Sequence, residues 1–177
     1  MSQCKAVFLT TGIPTVSSAW YWAYHLLILL IVTAFAVYDI KTKRIPNKAL
    51  KLSCVVALAS PVIYTWNTYS GVFEWSAMIT PLLSSFLGAA AGFVILLAAA
   101  LASKGGNGVG GGDIKLAAVL GFVYRPAGII AILLCASLLA LPAGLTRRRR
   151  TAERNLHMAF VPFIAVGCLA ITAIKLI

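Results

Sequence analysis

Residues 18–50 read SAWYWAYHLLILLIVTAFAVYDIKTKRIPNKAL, and one change of character inside that stretch decides the fold. Positions 18 to 38 carry no Asp, Glu, Lys or Arg. A helix needs about 20 apolar residues to cross a bilayer, because lipid offers no partner to backbone N–H and C=O groups. The run is long enough, and its Trp20–Tyr21–Trp22 start suits an interfacial aromatic belt. At Asp39 the character flips, and Lys41, Lys43, Arg44 and Lys48 follow in quick succession. The reading is a membrane helix with an acid at its foot and a basic loop behind it.

The rest of the chain keeps that pattern. Of its 177 residues 61% are hydrophobic and only 11% charged, with a mean hydropathy of +0.95. A soluble domain of this size needs a far more polar surface, so the composition requires an integral membrane protein. Six spans are expected, at 18–38, 49–66, 78–102, 114–124, 127–146 and 156–177. Together they make one all-α polytopic membrane domain over residues 1–177. Residues 1–17 hold Lys5 and Pro14, match a cleavable signal poorly, and carry no pattern that assigns them a role.

The fourth span is the doubtful one, since eleven residues rise only about 16 Å against a ~30 Å hydrocarbon core. Residues 114–146 offer an alternative, a single long helix kinked at Arg125–Pro126. Charge sidedness decides between them. With six spans and the N-terminus outside, only Lys5, Arg125 and Lys175 of the fifteen Lys and Arg residues fall outside. Merging the two spans throws Arg147 to Arg150 outward, against the positive-inside tendency. The same tendency accounts for the net charge of +11, so nucleic acid is not expected as a partner. Anionic lipid headgroups are expected at the arginine cluster. Cys4, Cys54, Cys135 and Cys168 form no C-x-x-C pair, which leaves no basis for a metal site or a disulfide framework.

Only four acids occur: Asp39, Glu74, Asp113 and Glu153. The six-span arrangement brings the two aspartates to the same, cytoplasmic, face. Each has an ordinary reading: Asp113 as a favourable charge at a helix N-terminus, Asp39 as a partner for Lys43 one turn on. Together they permit something else. Two juxtaposed carboxylates share a proton, so one can activate water while the other polarises a carbonyl. That is the chemistry of an aspartic peptidase. The stretch KGGNGVGGGDIKL, 104–116, leads into Asp113 with few side chains, leaving room for an extended substrate strand. It is not a phosphate loop, because Gly112 is followed by Asp113 rather than by Lys and Ser or Thr. A plain linker between spans remains the ordinary alternative.

Asp39 followed by Ile45–Pro46–Asn47, and Gly110–Gly111–Gly112–Asp113–Ile114–Lys115, resemble the two signature elements of the type IV prepilin peptidase family. Phe160–Val161–Pro162–Phe163 with Gly167 is similar to that family's final span. The resemblance implies a G-x-G-D-type membrane aspartic peptidase whose catalytic pair is Asp39 and Asp113. It implies that Gly110 and Gly112 shape the active loop and that Pro46 and Asn47 fix the chain leaving the first helix. Lys115 matches the motif's lysine and equally fits a topology-setting charge. The implied substrates are prepilin or pseudopilin precursors with basic leaders, cut at the cytoplasmic face of the bacterial inner membrane, with no metal and no cofactor. Oligomeric state is left open.

One departure shapes the expectation further. Many members of the family carry a cytoplasmic insertion with C-x-x-C pairs and also N-methylate the new N-terminus; this chain has about ten residues there and no cysteine pair. A peptidase without methyltransferase activity is expected, similar to the short forms that serve Flp/Tad-type pili. Two rival readings use the same acids. One is an intramembrane protease of the presenilin or signal-peptide-peptidase type, which lacks the Ile-Pro-Asn element. The other is a small transporter with the acids as a proton relay.

Overall fold

The computed structural model describes residues 19–42, 47–68, 75–102, 110–150 and 160–174, and every regular element among them is helical. In chain order these are α1 (Ala19–Thr42), α2 (Asn47–Ala57), α3 (Ser60–Thr68), α4 (Trp75–Ala102), α5 (Gly111–Arg150) and α6 (Val161–Ile174). Residues 19–42, 49–68, 77–102 and 111–142 are each long and apolar enough to cross a membrane, and Val161–Ile174 is a shorter apolar helix. The chain is an all-helical polytopic membrane protein. Its outer surface is greasy, with Leu30, Leu52, Ile79, Leu101 and Leu138 all exposed.

The expected second span, 49–66, is helical but interrupted. Leu58 and Ala59 close a tight turn with bonds from Leu58 N–H to Cys54 O (3.1 Å) and Ala59 N–H to Val56 O (3.2 Å). Pro61, in the first turn of α3, has no N–H to continue the ladder, so the helix restarts there.

α1 shows why the interior forms. Tyr21, Tyr24, His25, Ile28, Val32, Phe35, Ala36 and Asp39 are its buried residues, three or four apart along one face. Asp39 therefore occupies the last core position of a stripe that is otherwise apolar or aromatic.

The expected fourth and fifth spans are the two arms of α5. The helix assignment runs unbroken across them, yet Arg125 has φ 64° and ψ 177°, a conformation essentially confined to glycine. The chain reverses there. In a straight helix Ala117 and Ile129 would lie about 18 Å apart. Both instead flank one residue of α4: a Cβ on Gly92 would stand 2.5 Å from Ala117 O and 3.1 Å from Ile129 Cγ1. One step along, a Cβ on Gly88 would collide with Gly121 O and with the Arg125 backbone. The arms are thus antiparallel and joined without a loop. Holding Arg125 in that conformation costs about 1–3 kcal/mol, which the packing on either side must offset.

Small residues make that packing possible. Gly88 and Gly92 on α4 meet Gly121 and Ala117 on the first arm, backbone against backbone, the type of approach lipid-embedded helices use where apolar burial gives no drive to associate. Gly167 of α6 repeats it against the second arm, where a Cβ would stand 2.7 Å from Ile132 O. Between these crossings lie the fully buried Leu116, Leu120, Ile129, Ile132 and Ile164.

Gly88→Val forces a side chain into the Gly121 backbone, which cannot yield as a side chain can. It is expected to lower unfolding stability in detergent by about 2–3 kcal/mol. Gly111→Ala serves as the control, because nothing lies within 4 Å of a Cβ at that position. Equal melting temperatures for the two variants would contradict the crossing.

Candidate active site

Three chain segments meet at one end of the bundle: the foot of α1, the start of α5 and the start of α6. Asp39 is 6% exposed and Asp113 is 8% exposed, and the two carboxylates stand within electrostatic reach of each other. They are 74 positions apart in the chain, since 113 − 39 = 74. Each arrives by a local rule. Asp39 is carried by the apolar stripe of α1. Asp113 sits in the first turn of α5, where an acid is favoured by the unpaired N–H groups.

The backbone around them supplies donors. Asp113 N–H bonds Gly110 O at 3.0 Å, closing the first turn, and the Gly110 N–H donates back to the Asp113 carboxylate. A Cβ on Gly110 would stand 3.4 Å from Asp113 Oδ2, so glycine leaves that oxygen open to an approaching group. Across the site, the Val161 N–H donates to the Asp39 carboxylate. Val161 can do so because it opens α6: Phe160 O takes bonds from Phe163 and Ile164 N–H, and Pro162 has no N–H. One oxygen, Asp39 Oδ2, is buried with no hydrogen-bond partner. A carboxylate oxygen held away from water without a donor costs about 1–3 kcal/mol, an expense typical of groups retained for chemistry.

The remaining expected residues fall out as follows. Gly112 lies in the first turn of α5 and is half-buried, while Lys115 is exposed. Asn47 opens α2, and Pro46 lies outside the described residues, as do most of the glycines before Gly110. Val161 was quoted in the sequence only as part of the Phe160–Val161–Pro162–Phe163 stretch and not as a site residue, because a backbone donor has no residue signature. Pro162, a residue favoured in the first turn of a helix, marks the helix start that frees the Val161 N–H.

The fold and this pair of buried acids define a class: a polytopic integral membrane protein with two buried carboxylates within electrostatic reach of each other at one end of a helix bundle. Comparison with known proteins narrows it. Residues 26–145 match the sequence model of the type IV leader peptidase family. The chain is 36% identical over 143 residues to a Prepilin leader peptidase/N-methyltransferase of Bacillus subtilis (strain 168), covering 78% of this chain and 50% of that protein. A protein of the same name from Neisseria gonorrhoeae is 29% identical over 168 residues, covering 90% of this chain and 53% of that one. The chain belongs to the type IV leader peptidase family. It spans about half the length of these curated relatives. No solved structure matches it.

Asp39→Asn keeps shape and removes a buried carboxylate that lies within electrostatic reach of another acid. It is expected to leave the unfolding free energy in detergent unchanged or to raise it by up to about 1–3 kcal/mol. A clear loss of stability would show that Asp39 serves the fold instead.

Proposed function

We propose that this chain is a membrane aspartic endopeptidase that removes the basic leader from type IV pilin-like precursors. The observation that carries the reading is that buried Asp39 and Asp113 lie within electrostatic reach of each other in a member of the leader peptidase family. The two relatives are named as prepilin leader peptidases, which supplies the substrate class. The proposed site faces the cytoplasm of a bacterial inner membrane, the side to which positive-inside bookkeeping assigns the basic loops.

In the proposed reaction the ionised member of the pair takes a proton from water as its oxygen bonds to the scissile carbonyl carbon. The protonated member donates to the carbonyl oxygen as charge develops there. The tetrahedral intermediate then collapses: the C–N bond breaks, the amine leaves with the proton that the base had taken, and a hydroxyl of the intermediate returns a proton to the other carboxylate. Gly110 keeps the Asp113 side of the site open, and the Val161 N–H orients the Asp39 carboxylate. No metal or cofactor has a part in this scheme. Gly112, Pro46 and Asn47 are proposed to shape the loops that receive the substrate, and Lys115 to act there or to hold topology. A site at helix ends suits a substrate whose leader is in water and whose next segment is a membrane helix.

Two finer features belong to the proposal. The 177 residues contain no C-x-x-C pair and only a short link between α1 and α2, which favours cleavage without N-methylation. The same economy resembles enzymes of Flp/Tad-type pilus systems.

Co-expression with a prepilin tests the reading. Asp39→Asn and Asp113→Asn are each expected to lower leader removal by about 100-fold or more while the protein still inserts. Normal processing by either variant would overturn the catalytic pair. Cleavage is expected just before the apolar segment; a cut within that segment would favour an intramembrane protease of the presenilin type. The mature N-terminus is expected to be unmethylated by mass spectrometry, and an added methyl group would contradict the single-activity reading.

A further inference from the structure

Trp20, Ala23, Tyr24 and Leu27 of α1 line one side of an apolar groove of about 510 Å³, and Val62 and Trp66 of α3 stand on the other. The four α1 residues have the spacing i, i+3, i+4 and i+7. That diamond is the hole which four residues of one helix offer to a side chain of a second. Ala23, its smallest member, is exposed between bulky neighbours, so the hole has depth. The Tyr24 hydroxyl turns away to donate to Val56 O at 3.2 Å, at the break between α2 and α3. What faces the groove is therefore ring and hydrocarbon, with no charged residue among the lining.

The same side of α1 runs on toward the acids. Steps of four, three and four residues from Leu27 give Ile31, Ala34 and Tyr38, all uncharged and none fully buried, and Tyr38 adjoins Asp39. The groove lies 12 to 19 residues back from Asp39 (39 − 27 = 12 and 39 − 20 = 19), roughly 18–29 Å along the helix axis. A helix that begins at the acids and crosses a hydrocarbon core of about 30 Å covers that distance. An acyl chain has no periodicity to match a helical hole. A second copy of this chain has no need of a face that stays open as far as Asp39.

Given the peptidase reading above, on which this rests, we propose that the groove between α1 and α3 receives the apolar helix of the precursor. That helix lies antiparallel to α1, its leader junction at the acids and its residues about 12–19 beyond the cut between Ala23 and Val62. Contacts so far from the reacting bond contribute binding and orientation, so they set KM more than kcat. Ala23 and Val62 are specificity-determining residues for the mature part of the substrate, which the two acids do not touch.

The test uses the full chain in vesicles of phosphatidylglycerol and phosphatidylethanolamine, supplied with a prepilin. Ala23→Trp fills the hole from an exposed position and spares the core, so its melting temperature should match wild type. Its KM for the whole prepilin should rise at least roughly tenfold, the loss of one buried apolar side chain, with kcat little changed. A peptide that ends about eight residues past the cut stops short of the groove, and both proteins should cleave it equally. An unchanged KM for the whole prepilin, or an equal loss on the short peptide, would overturn the groove. Crosslinking reads occupancy without relying on cleavage. A photoreactive group at position 62 should join the substrate roughly 12–19 residues beyond the leader, while one at position 138, exposed on the second arm of α5, should not. Adducts with lipid alone, or with a second copy of this chain, would overturn the assignment to substrate. A precursor that crosslinks at position 62 and is never cut would overturn the peptidase reading and leave the groove standing.

Discussion

The close crossing of α4 with the first arm of α5 is the constraint from which the rest of this bundle follows. Gly88 against Gly121, and Gly92 against Ala117, bring two backbones to a separation that any larger residue prevents. Once α4 and the first arm are held this way, the second arm must find room beside them. It does so by reversing at Arg125 and returning along α4, so that Ile129 comes to Gly92 from the other side. The tight turn and the small residues are therefore one device. A loop at 125 would relieve the strained residue but would also free the first arm to slide.

That reversal sets where Asp113 ends up. From Asp113 to Tyr124 the first arm rises only about 16 Å, and its far end is pinned by the Tyr124 hydroxyl on Thr172 (3.0 Å) and by His25 against the Tyr124 ring. α1 reaches the same far level at Tyr21 and His25 and carries Asp39 at the other end. α6 is tied at both levels, at Thr172 and through the Val161 N–H on Asp39. The three helices are clamped at one end by aromatic and hydroxyl contacts and present two acids and a backbone donor at the other. A pair of carboxylates repels, so the acid end cannot be what holds them together.

How much of this could be read beforehand differs by element. Asp39 was legible as an acid at the foot of an uncharged apolar run; that it continues the buried face of α1 is what the structure adds. The division of residues 114–146 was also legible, though only through the arginines at 147–150, since hydropathy alone treats 111–142 as one span. That is a topological argument, and it says nothing of the absence of a loop at Arg125. The Gly88–Gly121 crossing was not legible: a glycine four residues from another marks a close approach without naming the partner. The Val161 donor was invisible for a different reason, that its contribution is a main-chain N–H freed by its place at a helix start. Side-chain chemistry can be read from residue type; backbone chemistry waits for geometry.

Where the unsatisfied groups lie separates structure from function in this molecule. Asp39 Oδ2 is orphaned at one end, while Arg125 Nη2 is orphaned at the other. Ser85 Oγ is a third, about one turn beyond Gly88 on α4, on the side away from the acids. The middle of the bundle, around Leu120, Ile129, Ile132 and Ile164, is fully buried and apolar. Apolar packing in the middle offsets the cost of polar groups at the ends, which in a membrane protein are the levels that water and headgroups reach. A bundle selected for stability alone would have neutralised both ends at little cost, with glycine at 125 and an amide at 39. Both departures, a strained arginine at one end and two buried acids at the other, lie outside the packed middle, where the cost of such groups is greatest.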